Sequence, residues 1–122
     1  MAEAQVLVQN IGGVTVVDFT DSSILDGIAV ETIGQRLYEL VDERARRKVL
    51  LDFTQVKFLS SSLLGVLIKL QQKAKAIKGR IAICGLRPEL RRVFEISRTE
   101  KLFSFYDSEE AALNSFGVFT RP

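Results

Sequence analysis

The chain has 122 residues, enough for one domain, and its 47% hydrophobic content can fill a core without disulfides or metal. With 17 Lys and Arg against 15 Asp and Glu, its formal charge of +2 is too small to predict a nucleic-acid binder and directs attention to a protein or small-molecule partner. The absence of histidine excludes His-based triads, His metal ligands and an imidazole pH switch, and a single cysteine cannot form an internal disulfide.

The chain opens on "MAEAQVLVQN", which lacks a basic n-region followed by an apolar stretch, and no apolar run approaches the ~18 to 20 residues of a membrane span. A cytoplasmic protein with no membrane partner is the expectation. "VLVQNIGGVTVVDF" alternates on either side of Gly12 and Gly13, which predicts two strands joined by a tight turn. Beyond "TDSSILD", Val30, Ile33, Leu37, Leu40 and Val41 recur at spacings of three and four, so residues 27 to 46 predict an amphipathic helix ending in the basic run "RARRK". Those cations are expected to complement the negative end of the helix macrodipole.

"VLLDF", residues 49 to 53, is a nearly unbroken apolar run of the kind found in central strands covered on both faces. A second helix follows, with Leu63, Leu67, Leu70, Ala74 and Ile77 on one face, Lys69, Gln72, Lys73 and Lys75 largely on the other, and Gly79 at its end. "RIAIC" predicts another core strand, in which Cys84 acts as a small buried hydrophobe. "LRPELRRVFEI" opens a third helix with Pro88 near its first turn and an apolar stripe of Leu90, Val93 and Phe94. The strand "LFSFY" and a last helix from about Ser108 complete the chain, with Asp107 and Glu110 at capping-box spacing and Leu113 and Phe116 turned inward.

The order β-β-α-β-α-β-α-β-α predicts a single α/β domain over residues 1 to 122: a mixed sheet with an N-terminal antiparallel hairpin, parallel strands beyond it, and four flanking helices. Ligands of such sheets bind beyond the carboxyl ends of the strands, where loops enter helices. "FLSSSLLGVL", residues 58 to 67, lies at such a junction. Ser60 or Ser61 there is expected to cap the second helix. A phosphoryl group at a helix start meets free N–H groups and the positive end of the macrodipole, so the fold tolerates it, whereas a partner docked on that surface does not.

From "VLLDF" through the serines, "GRIAICGLRPELRRVFEI" and "LFSFYDSEEAAL", the chain resembles the STAS domain of bacterial anti-sigma factor antagonists over roughly residues 5 to 116. That resemblance implies a partner-switching regulator of transcription with no catalytic residue, metal or cofactor. It would bind an anti-sigma factor with serine kinase activity, be released on phosphorylation, and be reset by a serine phosphatase. The family junction reads apolar-Asp-Ser-Ser/Thr-Gly-Leu-Gly, which lays the phosphorylated serine on Ser61, flanked by Ser60 and Ser62, with Gly65 at the second glycine. Ser60, Ser61, Ser62, Leu63, Asp26 before the first helix and Arg91 on the third are the residues so implied in partner binding; Arg87 and Arg92 lie nearby on the same helix. Ser60 replaces the family aspartate and Leu63 the first glycine, which predicts a missing charge and added bulk where a kinase approaches. The alternative is a STAS module that binds a protein or ligand without being phosphorylated.

Other constellations yield less. Lys69, Lys73, Lys75, Lys78 and Arg80 are expected to form a solvated helix face. Asp18, Asp21, Asp26 and Asp52 lack the spacing of a phospho-aspartate receiver, which wants an acidic pair directly after its first strand. Neither a Walker-type "GxxxxGK[ST]" nor G-x-G-x-x-G occurs, and a serine without a histidine or lysine base is a poor nucleophile, so an enzyme is not expected.

Overall fold

A computed structural model describes residues 6–20, 23–24 and 27–119. The hairpin pairs β1 (Val6–Ile11) with β2 (Val14–Phe19), and Gly12 and Gly13 at φ +57° and +87° supply the two left-handed residues that a two-residue turn requires. Then follow β3 (Ser23–Ile24), α1 (Gly27–Asp42), β4 (Lys48–Asp52), β5 (Phe58–Leu59), α2 (Ser61–Ala76), β6 (Arg80–Cys84) and α3 (Pro88–Ile96). A 3₁₀ turn over Glu100–Leu102, β7 (Ser104–Tyr106) and α4 (Glu109–Ser115) close the described chain.

The five-stranded sheet runs β1-β2-β4-β6-β7, antiparallel only between β1 and β2 and parallel elsewhere. This is the mixed sheet with four helices that the order of apolar runs predicts. Successive side chains of a strand point to opposite faces. One set, including Val17, Phe19, Val49, Leu51, Ile81 and Ile83, packs under α1, α2 and α3, where Phe19 stacks on Phe53 at 4.5 Å. The other set, Val16, Leu50, Ala82 and Cys84, meets Ala112 and Leu113 of α4. β4 and β6 are thus covered on both faces, as "VLLDF" and "RIAIC" predict, and Cys84 is a free, buried thiol.

Several boundaries differ from the sequence reading. The first helix stops at Asp42 and not at residue 46, because Ala45 turns left-handed at φ +50° and Arg46 N–H bonds back to the Leu40 carbonyl. "RARRK" therefore lies in the loop beyond the helix rather than in its last turn. The second helix ends at Ala76, with Lys78 rather than Gly79 taking the left-handed conformation, φ +62°. Gly79 is needed for closeness instead: a Cβ there would sit 2.7 Å from the Arg47 carbonyl oxygen. The last helix is capped by Ser108, whose Oγ accepts from Ala111 N–H at 3.1 Å, and not by Asp107. Leu102 belongs to the 3₁₀ turn, so "LFSFY" supplies only a three-residue strand. The two-residue pair β3–β5, parallel through Ser23↔Phe58 and Ile24↔Leu59, has no counterpart in the sequence reading.

Candidate functional site

β3 and β5 fix where the helices begin. Their pairing holds the segment entering α1 beside the segment entering α2, so both helices start at the same end of the molecule. α1 and α2 then run side by side. Gly34 faces Val66 closely enough that an added Cβ would meet a valine methyl at 3.4 Å, and Lys73 Nζ bonds Asp42 Oδ2 at 2.7 Å near their far ends. The serine junction thus lies beyond the carboxyl end of β4, the edge at which open α/β sheets present their loops.

The three serines are used differently. Ser60 is the N-cap of α2, with φ −88° and ψ 161°; its Oγ accepts from Leu63 N–H at 3.3 Å and its carbonyl accepts from the same N–H at 3.1 Å. Ser61 and Ser62 are exposed on the first turn, and their hydroxyls have no hydrogen-bond partner among the described residues. With no acidic side chain in that turn, the positive end of the macrodipole is left uncompensated there.

Leu63 corrects the expectation. Its side chain is 0% exposed and packs in the core under the helices, so it neither presents bulk to an approaching protein nor offers a contact to a partner. A leucine at this position points inward because α2 must bury Leu63, Leu67, Leu70 and Ala74 on one stripe. Gly65 is exposed, and a Cβ added there would meet nothing within 4 Å. Arg91 is half-buried on α3 with its guanidinium 4.0 Å above the Phe105 ring, while its Nε is buried without a hydrogen-bond partner among the described residues. Arg92 is exposed on the same helix and Arg87 at its N-cap. Asp26 lies outside the described residues.

Two residues at this end escaped the sequence reading. Phe58 of β5 is 59% exposed and Ile28, in the first turn of α1, is 68% exposed. They sit at the two helix entries that β3 and β5 hold together. Phe58 reads locally as one more strand hydrophobe, so only the short length of β5 and its position outside the main sheet make it visible as surface.

The carboxylates gather elsewhere on the sheet. Asp18, Asp52 and Cys84 are neighbours in register across β2, β4 and β6, on the face covered by α4. Asp52 Oδ1 accepts from Thr54 N–H at 2.9 Å and from Thr54 Oγ1 at 2.5 Å, which fixes the turn that leaves β4. Burial, then the Asp52 charge, raise the Asp18 carboxyl above its ordinary value. Burial and Asp52 likewise raise Glu109. Cys84 is pushed up by burial and by Asp52 and Glu109, which keeps it a thiol. No helix among the described residues is long and apolar enough to cross a membrane.

Known proteins share this fold. The family model for the STAS domain matches residues 5–112. A protein of Bordetella bronchiseptica named as the anti-sigma factor antagonist BtrV is 30% identical over 93 residues, covering 76% of this chain and 79% of its own. Among solved structures, an anti-sigma factor antagonist STAS domain protein of Planctomyces limnophilus superposes with a TM-score of 0.82 at 26% identity, covering 93% of this chain and 98% of its own. The Bacillus cell fate determinant SpoIIAA in its phosphorylated form shares the fold, with a TM-score of 0.73 at 21% identity over 91% of this chain and 98% of its own.

Proposed function

The chain belongs to the STAS domain family, among the anti-sigma factor antagonists, and on that premise we propose that it binds an anti-sigma factor through the surface around the start of α2. Phosphorylation of Ser61 by that anti-sigma factor, acting as a serine kinase, releases it; a serine phosphatase restores binding. The protein is a binding partner in transcriptional control and not a catalyst. The observation that carries the reading is the division of labour among the serines: Ser60 serves the cap, so Ser61 can be modified without removing the helix's own hydrogen bond.

The energetics favour a switch read through binding. At a helix start the phosphate dianion is compensated by free N–H groups and the macrodipole, so the fold persists. Buried without a partner in an interface, the same dianion costs several kcal/mol and lowers affinity by orders of magnitude. Phe58 and Ile28 supply the exposed apolar contacts that such an interface needs, and Asp26 and Arg91 are the charged residues that the family resemblance adds to it. Ser62 shares the exposed turn and is the second acceptor; Ser60 is the third, at the cost of the cap.

Incubation with ATP and the candidate anti-sigma kinases of the source organism, followed by phosphosite mapping by mass spectrometry, tests this. Phosphate on Ser61, loss of anti-sigma binding in Ser61→Asp, and ATP-independent binding by Ser61→Ala are expected. Retained binding with no phosphate on Ser60, Ser61 or Ser62 from any kinase would identify a constitutive binding module instead.

A further inference from the structure

The opposite half of α1 borders a second surface. Two adjoining pockets of about 200 and 240 Å³ share Val8, Leu40 and Arg44 and together form a groove between edge strand β1 and α1. Thr15, only 3% exposed, lines its floor, and the Thr15 hydroxyl is buried with no hydrogen-bond partner among the described residues. Arg36, Arg44 and Arg46 line its helix side, against one acid, Glu39.

The strand side is open. Ile11 and Val14 flank the two-residue turn and form its hydrogen-bonded pair, so alternation directs the N–H and C=O groups of Leu7, Gln9 and Ile11 toward β2. Those of Val6, Val8 and Asn10 point outward. The Val6 carbonyl accepts from Arg36 Nη1 at 3.5 Å, while no other described residue bonds the outward groups of Val8 and Asn10. β1 also lacks the devices that protect edges: "VLVQNI" holds no charge and no proline, and Leu7 and Val8 are 62% and 37% exposed.

We propose that β1 accepts an extended acidic segment of a partner protein as a sixth strand, its carboxylates held by Arg36 and Arg44 along the α1 side of the groove. A second copy of this chain fits poorly. Two β1 strands paired antiparallel about a two-fold axis normal to the sheet would set the arginine rows of both copies against each other on one face. The row instead selects opposite charge. At about 1.5 Å of rise per residue, Arg36 stands about 9 Å before the end of α1 at Asp42, and Arg44 lies two residues beyond that end. Side chains on one face of a strand recur every ~6.7 Å, so acidic residues four positions apart match the two guanidiniums. Glu39 lies between them and disfavours a third carboxylate at the middle position.

The surface is remote from the start of α2, so this segment binds whether or not Ser61 is modified, and the proposal stands independently of the phosphorylation reading. Its test uses the pentapeptide fluorescein-Glu-Val-Thr-Val-Glu-amide, labelled on its terminal nitrogen, with fluorescein-Lys-Val-Thr-Val-Lys-amide labelled the same way as control, read by anisotropy and by amide chemical shifts of the full chain. The acidic peptide is expected to bind roughly tenfold or more tighter than the lysine peptide, with protection of the Val8 and Asn10 amides and weakening by salt. Arg44→Glu, on an exposed loop residue, is expected to abolish the preference without changing Tm. Equal affinity for both peptides, no binding at millimolar concentration, shifts confined to another surface, or a concentration-dependent dimer protecting the same two amides would overturn it.

Discussion

A serine hydroxyl at a helix start can satisfy a backbone N–H or remain available to chemistry, and adjacent positions divide the two uses here. Ser60 spends its oxygen on Leu63 N–H, while Ser61 and Ser62 turn outward. The same turn sends Leu63 into the core, so one residue of rotation separates a modifiable side chain from a structural one. A second residue-level consequence concerns Asp18. Because burial and Asp52 raise its carboxyl in the folded state, folding favours the protonated form. Stability from this group is therefore greatest below the unfolded value, about 3.9, and declines as pH rises through the interval up to the folded value. Asp18→Asn is expected to raise Tm at pH 7, with the difference from the unsubstituted protein shrinking toward pH ~4; thermal melts at the two pH values check this.

Among the elements, α2 carries an internal cost without an internal return. Gly65 stands in its second turn, where glycine is less favourable than alanine by about 0.8 to 1 kcal/mol, and nothing within 4 Å would obstruct a Cβ. On the proposed reading of this surface, the return lies outside the chain, in the close approach of a partner. Gly65→Ala is expected to stabilise the protein by about 0.5 to 1 kcal/mol in denaturant melts while weakening anti-sigma binding measured by calorimetry. A gain in stability with unchanged affinity would separate this glycine from the interface. The starts of the helices were legible from periodicity: α1, α2 and α3 begin within a residue or two of where the apolar stripes place them. Their ends were less so. Ala45 and Lys78 adopt left-handed turns that favour glycine, and just beyond them Arg80 N–H donates to the Arg47 carbonyl at 2.7 Å, joining the two loops. That bond links residues more than thirty apart in the chain, and no local rule anticipates it.

At the level of the molecule, the sheet separates a large core from a small one. Three helices cover one face; on the other, among the described residues, Ala112 and Leu113 of α4 pack with Phe116 and Val118 in the cluster that holds Cys84. Opening of α4 should therefore expose this thiol before the larger core yields. Cys84 in the native protein is expected to react with a disulfide reagent much more slowly than a free thiol. Leu113→Ala, which removes buried contacts of the small core, is expected to accelerate labelling by roughly tenfold or more, consistent with a buried Leu→Ala loss of about 2 to 5 kcal/mol. Labelling followed by mass spectrometry, alongside a global melt, distinguishes local opening from complete unfolding.

Alternation in "VTVVDF", the apolar runs "VLLDF" and "RIAIC", and the three-and-four spacing of the helices identified the α/β order, because each depends only on residues near in the chain. The serines that start α2 were legible for the same reason, since capping is a local hydrogen bond. Which residues face outward at that end depended on distant partners. β3 meets β5 across more than thirty residues to bring Ile28 and Phe58 beside the serines, and β1 becomes an open edge only because β2 pairs with β4 on its other side. Burial and exposure are properties of the packed assembly: a side chain is inside or outside according to what covers it, and that cover comes from elsewhere in the chain.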